Sequence, residues 1–211
     1  MATATKPGQT EEGWLTDSWY FISASKDIKP GTQRREIMLN EPVLIGRTAE
    51  GKAFALRDIC PHRLVPLSAG KQLETDGEPT VQCPYHGWTY DCEGIPKGIP
   101  YVSEFDQLND ETRKELRLNS WLIDSCGQFI FVKEKKDNIS LKSFLGNTYE
   151  FLERISEAMN EKIDLNKYTV KANWKVVVEN TLENYHSKLI HPKTFARLGT
   201  SGYDFNFEGH H

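Results

Sequence analysis

The sequence lacks long apolar runs, an excess of basic residues and an abundance of cysteine. Its longer apolar stretches, such as 43–45 and 129–132, hold only three or four residues, whereas a membrane-spanning helix needs about 20. The 211 residues carry 26 lysines and arginines against 30 aspartates and glutamates, a net charge of −4. This balance creates no basic field for nucleic acid or for an anionic membrane. We therefore expect a protein that binds neither.

The N-terminal segment and the spare cysteines indicate a reducing compartment. Residues 1–13 are polar and lack the apolar centre of a signal peptide, so they are expected to form a disordered tail. Without a secretory signal, the expected location is the cytoplasm, where cysteines stay reduced. Cys92 and Cys126 fit neither motif described below and are interpreted as small, partly buried fillers. From sequence alone a disulfide between them stays open.

What the chain does contain is two short segments that each pair a cysteine with a histidine. Cys60-Pro-His62 has the spacing C-x-H, and Cys83-Pro-Tyr-His86 has the spacing C-x2-H. A [2Fe–2S] cluster with two cysteines on one iron and two histidines on the other needs this set of ligands. Neutral imidazoles replace two thiolates in such a cluster, which raises its reduction potential above that of an all-cysteine cluster.

A structural zinc site built from the same four residues is the first alternative. Zinc modules usually pair cysteine with cysteine and histidine with histidine, whereas here each pair is mixed. The mixed pairs favour the iron–sulfur cluster. The two motifs are separated by residues 63–82, and the polar stretch 73–79 with its glycine and proline is interpreted as a surface turn.

Strand and turn signals dominate residues 14–137. The β-rich segments 42–46 and 53–56 flank a turn at 49–52, and 117–123 and 128–132 flank a turn at 125–127. These hairpins predict a small antiparallel β sandwich. Apolar residues then recur at helical spacing, which predicts one amphipathic helix over about 140–161 and an α+β fold.

A third constellation lies near the C-terminus, between Asn173 and Pro192. Asn173 is a good helix N-cap, and Glu183 precedes His186 by three residues, so both would lie on one helical face. Proline disfavours a helical conformation of the residue before it, so the helix is expected to end near His191 and to turn that imidazole toward His186. Two histidines with a nearby carboxylate are typical of non-haem Fe(II) with open positions for O2. Alone, however, this spacing is weak, because histidines near a helix end are more often caps or surface residues.

Together and in this order, the motifs resemble the alpha subunit of Rieske non-haem iron ring-hydroxylating oxygenases. The resemblance runs from about Trp19 to His191. It implies a Rieske antiparallel β-sandwich domain over 14–137 and the beginning of an incomplete helix-grip catalytic domain over 138–211. It also implies that the remaining strands, and the aspartate that completes the mononuclear iron site, lie beyond residue 211. Asp204 and Glu208 are conceivable substitutes for that aspartate, but their spacing does not favour them.

The resemblance also implies a role for each motif residue. The cluster ligands are Cys60 and Cys83 on the inner iron and His62 and His86 on the outer iron. The ligands of the mononuclear Fe(II) are His186 and His191, with Asn180 near that iron. Glu183 takes the place of the family's bridging carboxylate, usually an aspartate, between a mononuclear-site histidine and a cluster histidine.

The implied function is that of a terminal oxygenase component. A ferredoxin or flavin reductase delivers electrons through the cluster to Fe(II), and oxygen from O2 enters a small aromatic or related organic substrate. Full-length subunits of this kind form head-to-tail homotrimers, and the 211-residue chain alone is expected to be inactive. The choice between monooxygenation and dioxygenation stays open. The alternative is a Rieske electron carrier without oxygenase activity, with two irons per chain instead of three; a zinc-stabilised interaction module would lack visible absorbance.

Overall fold

The computed structural model describes residues 15–104, 109–134, 136–159, 168–183 and 186–194. The predicted tail over 1–13 and the candidates Asp204 and Glu208 lie outside these ranges. The chain divides into two compact units, one comprising Trp14–Asn160 and the other mainly Glu161–Gly209. Each unit is described by itself.

The first unit is built on antiparallel sheets. Its strands are β1 (Tyr20–Ala24), β2 (Thr32–Met38), β3 (Glu41–Arg47), β4 (Ala53–Arg57), β5 (Lys71–Thr75), β6 (Glu78–Gln82), β7 (Thr89–Asp91), β8 (Pro96–Gly98), β9 (Leu122–Cys126) and β10 (Phe129–Lys133). They pair in the orders β1-β10-β9, β2-β3-β4 and β5-β6-β7-β8. The helices of the described ranges are α1 (Asp110–Glu115), α2 (Leu141–Leu145), α3 (Thr148–Glu157), α4 (Trp174–Leu182) and α5 (Ser187–Ile190). The predicted α+β class with an antiparallel β domain is confirmed.

Strand β3 lies between two apolar clusters. Leu44 packs in a cluster that also contains Cys60 and Cys83, whereas Val43 and Ile45 pack in a second cluster around Trp121. Successive side chains of a strand point to opposite faces, so a strand buried on both faces reads as an unbroken apolar run. The 43–45 run is therefore the central layer of the unit, and one of its faces supports the cysteines.

The turn between strands that we predicted in the stretch 73–79 is present, but it is shorter than predicted. Residues up to Thr75 continue β5, those from Glu78 begin β6, and the turn itself is only Asp76-Gly77. Both turn residues have positive φ, 52° and 80°, which matches the two-residue hairpin turn that favours the Asp-Gly dipeptide. The prediction overestimated the length of the turn, because the Asp-Gly signal was read as part of a longer polar stretch.

The predicted helix over 140–161 is divided into α2 and α3. Ser140 caps α2 through its hydroxyl, which accepts from the Ser143 N–H at 3.1 Å, and Gly146 ends α2 with a φ of 52°. Apolar residues of both helices pack on the β1-β10-β9 sheet around Trp19 and Cys126. These helices thus join the first compact unit, and the division of the chain at 137/138 stays a prediction.

The predicted helix after Asn173 is likewise interrupted. Asn173 caps α4 as predicted, since its side-chain oxygen accepts from the Lys175 N–H at 3.0 Å. Glu183 is extended, with φ −87° and ψ 146°, and so ends α4. A short α5 follows and ends at Ile190, so the predicted helix end near His191 is confirmed. In the described parts of the chain, no helix has the length and apolar content needed to cross a bilayer.

Candidate metal centres

The first cysteine–histidine loop is a tight turn closed by its own backbone. The Cys60 N–H donates to the Val65 carbonyl at 2.9 Å, and the Leu64 N–H donates to the Cys60 carbonyl at 2.8 Å. Leu64 has a φ of 58°, a left-handed conformation that costs a residue with a Cβ atom about 1–2 kcal/mol. The loop therefore keeps its shape at some energetic cost.

The second loop repeats this construction at the same positions. The Cys83 N–H donates to the Trp88 carbonyl at 2.7 Å, and the Gly87 N–H donates to the Cys83 carbonyl at 3.1 Å. Gly87, four residues after its cysteine, has a φ of 75°. Glycine adopts this conformation freely. The two motifs thus form matching loops, although their sequences differ in the position of the histidine.

The structure brings the four predicted cluster ligands together. Cys60 and Cys83 are buried, at 1% and 2% exposure, whereas His62 is half-buried and His86 is exposed. The two imidazole centroids are 4.7 Å apart. The His62 Nδ1 atom is buried and has no hydrogen-bond partner among the described residues. A buried polar atom is rarely left without a partner, so this nitrogen is placed as a metal ligand would be.

The electrostatics of the loops distinguish the inner from the outer residues. Burial raises the pKa of the Cys60 thiol, partly offset by a hydrogen bond from the His62 backbone and by the Tyr90 side chain, and the Cys83 side chain raises it further. Burial, followed by the positive charges of His86 and Arg63, lowers the pKa of His62. A lowered pKa favours the neutral imidazole, which is the form that binds metal.

Two aromatic residues that the sequence analysis did not single out contact the predicted ligands. The Trp88 ring stacks on the His62 ring with centroids 4.7 Å apart and planes 7° apart. The Tyr90 hydroxyl lies 3.7 Å from the Cys60 sulfur, and burial strongly raises the pKa of that hydroxyl. A protonated hydroxyl can donate to a thiolate. The signal for both residues was their place just after the second motif, since Trp88 directly precedes β7 and Tyr90 lies on it.

The donor set fits a [2Fe–2S] cluster. In such a cluster each iron takes two protein ligands and shares the bridging sulfides, so the protein must supply pairs rather than a group of three or four converging on one ion. The buried thiol pair and the outer imidazole pair provide the required pairs.

A second pair of histidines lies in the other unit. The His186 and His191 rings have centroids 5.6 Å apart and planes 67° apart. The Glu183 Oε1 atom contacts the His186 Nδ1 atom, although the two residues do not share a helix. A carboxylate on one ring nitrogen orients the imidazole and leaves the other nitrogen for a metal. Asn180 is exposed on α4, and the described residues place no third ligand beside this pair.

A cavity of about 930 Å³ lies away from both candidate metal sites, between the turn at 48–52 and the β5–β6 hairpin. Four of its charged residues form two ion pairs, Lys52 with Glu93 at 3.0 Å and Lys97 with Glu78 at 2.7 Å. None of the eight predicted site residues is among its described lining residues, so the metal sites do not depend on it.

The fold and the paired loops define a Rieske-type iron–sulfur protein. Residues 18–119 match the family model of the Rieske [2Fe-2S] domain. Residues 152–211 match that of the ring hydroxylating alpha subunit catalytic domain. The chain therefore belongs to the family of Rieske oxygenase alpha subunits.

Individual relatives agree with this assignment. The chain is 30% identical over 161 residues to the glycine betaine monooxygenase oxygenase subunit of Pseudomonas aeruginosa, covering 74% of this chain and 35% of that protein. It is 27% identical over 186 residues to the toluate 1,2-dioxygenase subunit alpha of Pseudomonas putida, covering 82% and 39%. The chain thus spans between a third and a half of the length of these curated relatives.

A solved structure supports the fold. The quaternary ammonium Rieske monooxygenase CntA superposes with a TM-score of 0.68 at 21% identity, over 86% of this chain and 50% of that chain. At this identity the likeness concerns the fold alone.

Proposed function

We propose that the chain is part of a terminal oxygenase component that takes electrons through a Rieske [2Fe–2S] cluster to a mononuclear Fe(II) and inserts oxygen from O2 into an organic substrate. The observation that supports this proposal best is the presence of two separate ligand sets in one chain. One set is the buried thiol pair with the imidazole pair 4.7 Å apart. The other is the His186–His191 pair, with Glu183 in contact with His186.

The ligand roles follow from burial. Cys60 and Cys83 hold the inner iron, because their sulfurs are buried against the central sheet. His62 and His86 hold the outer iron, because they lie toward the surface. When bound, the cluster supplies single electrons, and Fe(II) supplies the site at which O2 is activated. The exposed His86 is then the point where an electron enters or leaves.

Glu183 takes the role of bridging carboxylate in this proposal. One of its oxygens contacts His186, and the bridge requires its carboxylate also to reach a cluster histidine of a neighbouring copy. Such a head-to-tail contact closes into a ring, and we propose a homotrimer for the complete subunit. Asn180 is proposed to act near the iron from α4.

The electron donor and the substrate are proposed by class only. A ferredoxin or flavin reductase is the proposed donor, in a cytoplasmic setting. The names of the relatives refer to glycine betaine and to toluate, so they include a quaternary ammonium compound and an aromatic acid. We propose a small organic molecule of one of these kinds, with oxygenation carried out by the complete subunit rather than by the 211-residue chain alone.

Metal titration tests the second ligand set. The cluster-loaded chain, titrated anaerobically with Fe(II), should bind one further iron weakly, and the His186→Ala chain should lose that binding. His210 and His211 can bind metal adventitiously, so the chain with both replaced by alanine is the matched control and should keep the site. Iron binding that is lost in the control but unchanged in His186→Ala would contradict the proposed site.

The same titration separates the alternative function. A Rieske electron carrier would hold two irons per chain whatever the Fe(II) concentration, because it needs no second ligand set. We favour the oxygenase over the carrier because Glu183, His186 and His191 are gathered in one place, which a carrier does not require.

A further inference from the structure

Asp58 has a fully buried side chain beside the first cluster loop. Its carboxylate has 0% exposure and accepts two hydrogen bonds from Ser68, from the backbone N–H at 2.7 Å and from the hydroxyl at 2.6 Å. The Arg35 Nε atom lies 3.8 Å from the same carboxylate, on a side chain that is 46% exposed. A buried carboxylate is costly unless donors or countercharges offset it, and here two hydrogen-bond donors from Ser68 and the Arg35 cation do so.

Asp58 and Ser68 lie on either side of the first ligand loop, so the hydrogen bonds between them link its two ends. Asp58 comes two residues before Cys60, and Ser68 comes three residues after Val65, whose carbonyl closes the turn. The Asp58 backbone N–H also donates to the Pro42 carbonyl at 2.8 Å, which ties this end of the loop to β3. The hydrogen bonds between Asp58 and Ser68 therefore hold the loop closed against the central sheet.

The charge of Asp58 has a second consequence, because a closed loop alone needs only a hydrogen-bond acceptor. Two residues of extended chain span at most roughly 7 Å, so the Cα atom of Asp58 lies within that distance of the Cys60 Cα atom and its buried carboxylate belongs to the immediate surroundings of the first ligand loop. A negative charge in a poorly solvated place acts over such distances with little screening. It opposes the arrival of an electron at the cluster, and the half-exposed Arg35 offsets it only in part.

We propose that Asp58 is a positioning residue for the first cluster loop and that its buried charge holds the reduction potential of the cluster below the value set by the four ligands alone. The inference rests on the proposed ligand set. If Asp58 only held the loop closed, removing its charge while keeping the hydrogen bond would leave the reduction potential of the cluster unchanged.

The test compares variants of the 211-residue chain that are reconstituted with iron and sulfide and titrated electrochemically. Asp58→Asn keeps an acceptor for Ser68 but removes the charge, so the one-electron reduction equilibrium should move about tenfold toward the reduced cluster, an upward shift of about 59 mV. Arg35→Gln removes the countercharge and should move the equilibrium severalfold in the opposite direction. Asp76→Asn, the same exchange at the exposed β5–β6 turn, should change nothing.

Cluster retention tests the positioning role separately. Ser68→Ala keeps the charge of Asp58 but removes the hydrogen bond from the Ser68 hydroxyl, so the cluster should be lost several times faster on exposure to a chelator while its reduction potential stays near that of the parent.

An Asp58→Asn chain with the reduction potential of the parent would overturn the electrostatic role. An Arg35→Gln chain whose potential shifts in the same direction as that of Asp58→Asn would overturn it as well. Parent-like cluster loss in Ser68→Ala would overturn the positioning role. If Asp58→Asn does not load a cluster, the direction of the shift in reduction potential of Arg35→Gln tests the electrostatic role. A parent chain that loads no cluster would instead refute the proposed function.

Discussion

Leu64 and Gly87 occupy the same position in the two ligand loops. Each lies four residues after its cysteine, donates its N–H to the carbonyl of that cysteine, and has a left-handed backbone, with φ 58° and 75°. Glycine adopts this conformation freely, whereas leucine does not. The two loops therefore have the same backbone shape, but the first is strained at Leu64 and the second is not strained at Gly87.

This difference predicts opposite effects of substitution. Leu64→Gly should raise the free energy of unfolding by about 0.5–1 kcal/mol, because relief of the left-handed strain exceeds the added flexibility of glycine. Gly87→Ala should lower it by about 1 kcal/mol. A Cβ atom at position 87 would lie 3.4 Å from the nearest Pro100 atom, so the loss comes from strain rather than from a clash. Urea unfolding followed by circular dichroism measures both changes.

Leu64→Ala is the matched control for this pair. It removes the exposed side chain, which is 72% accessible, but keeps the strain, so its stability should stay close to that of the parent. A Leu64→Ala chain as stable as Leu64→Gly would show that the exposed side chain, and not the backbone, carries the cost.

The contact of Tyr90 with Cys60 predicts that Tyr90 affects the reduction potential of the cluster. Its hydroxyl lies 3.7 Å from the Cys60 sulfur, and donation to that sulfur withdraws negative charge from the cluster. Tyr90→Phe should therefore lower the reduction potential while leaving the cluster loaded. Protein-film voltammetry measures the change, with Tyr149→Phe as the control, since the Tyr149 hydroxyl donates to the Ser125 carbonyl on β9. An unchanged potential in Tyr90→Phe would mean that this contact does not act on the cluster.

The sequence predicted the features that depend on residue type and short spacing. The two cysteine–histidine motifs that the structure brings together, the Asn173 cap and the helix end before Pro192 could all be read locally. Breaks in regular structure were missed, because the left-handed Gly146 and the extended Glu183 interrupt helices whose apolar spacing continues through them. The polar edge strand β2 was also missed, because one of its faces needs no apolar residues.

Contacts between residues far apart in the chain could not be predicted from local sequence patterns. The contacts of Trp88 with His62 and of Tyr90 with Cys60 join residues 26 and 30 positions apart, because the fold brings the two ligand loops together. The Asp58–Ser68 pair depends in the same way on loop closure. No periodicity indicates which polar residue near a motif will be buried against it.

The contact between Glu183 and His186 predicts an effect on metal affinity. Carboxylates that orient a ligand histidine typically contribute 10–100-fold to affinity, so Glu183→Gln should weaken Fe(II) binding at His186 and His191 by about tenfold. Glu179→Gln is the matched control, because Glu179 lies on α4 one turn earlier. Anaerobic titration with Fe(II) measures the affinity of both chains. Equal Fe(II) affinities of Glu183→Gln and Glu179→Gln would show that Glu183 does not contribute to the site.

Cys92 provides a test based on pH. Burial, followed by the nearby Glu93 carboxylate, raises the pKa of this half-buried thiol to about 11. Iodoacetamide should therefore react slowly at pH 8, and its rate should rise about tenfold per pH unit until it levels off near pH 11. Because the folded pKa lies above the ordinary value of 9.0, the associated stability is present at neutral pH and is lost as the pH rises between these values. Rapid labelling of Cys92 at pH 8, followed by peptide mass mapping, would contradict this.

Nitrogen coupling to the reduced cluster tests the central claim most directly. The reconstituted 211-residue chain, reduced and measured by electron–nuclear double resonance, should show two histidine nitrogens bound to one iron, and His86→Cys should leave only one while lowering the reduction potential. A spectrum without histidine nitrogen coupling, typical of an all-cysteine cluster, would contradict the assignment of His62 and His86 as ligands.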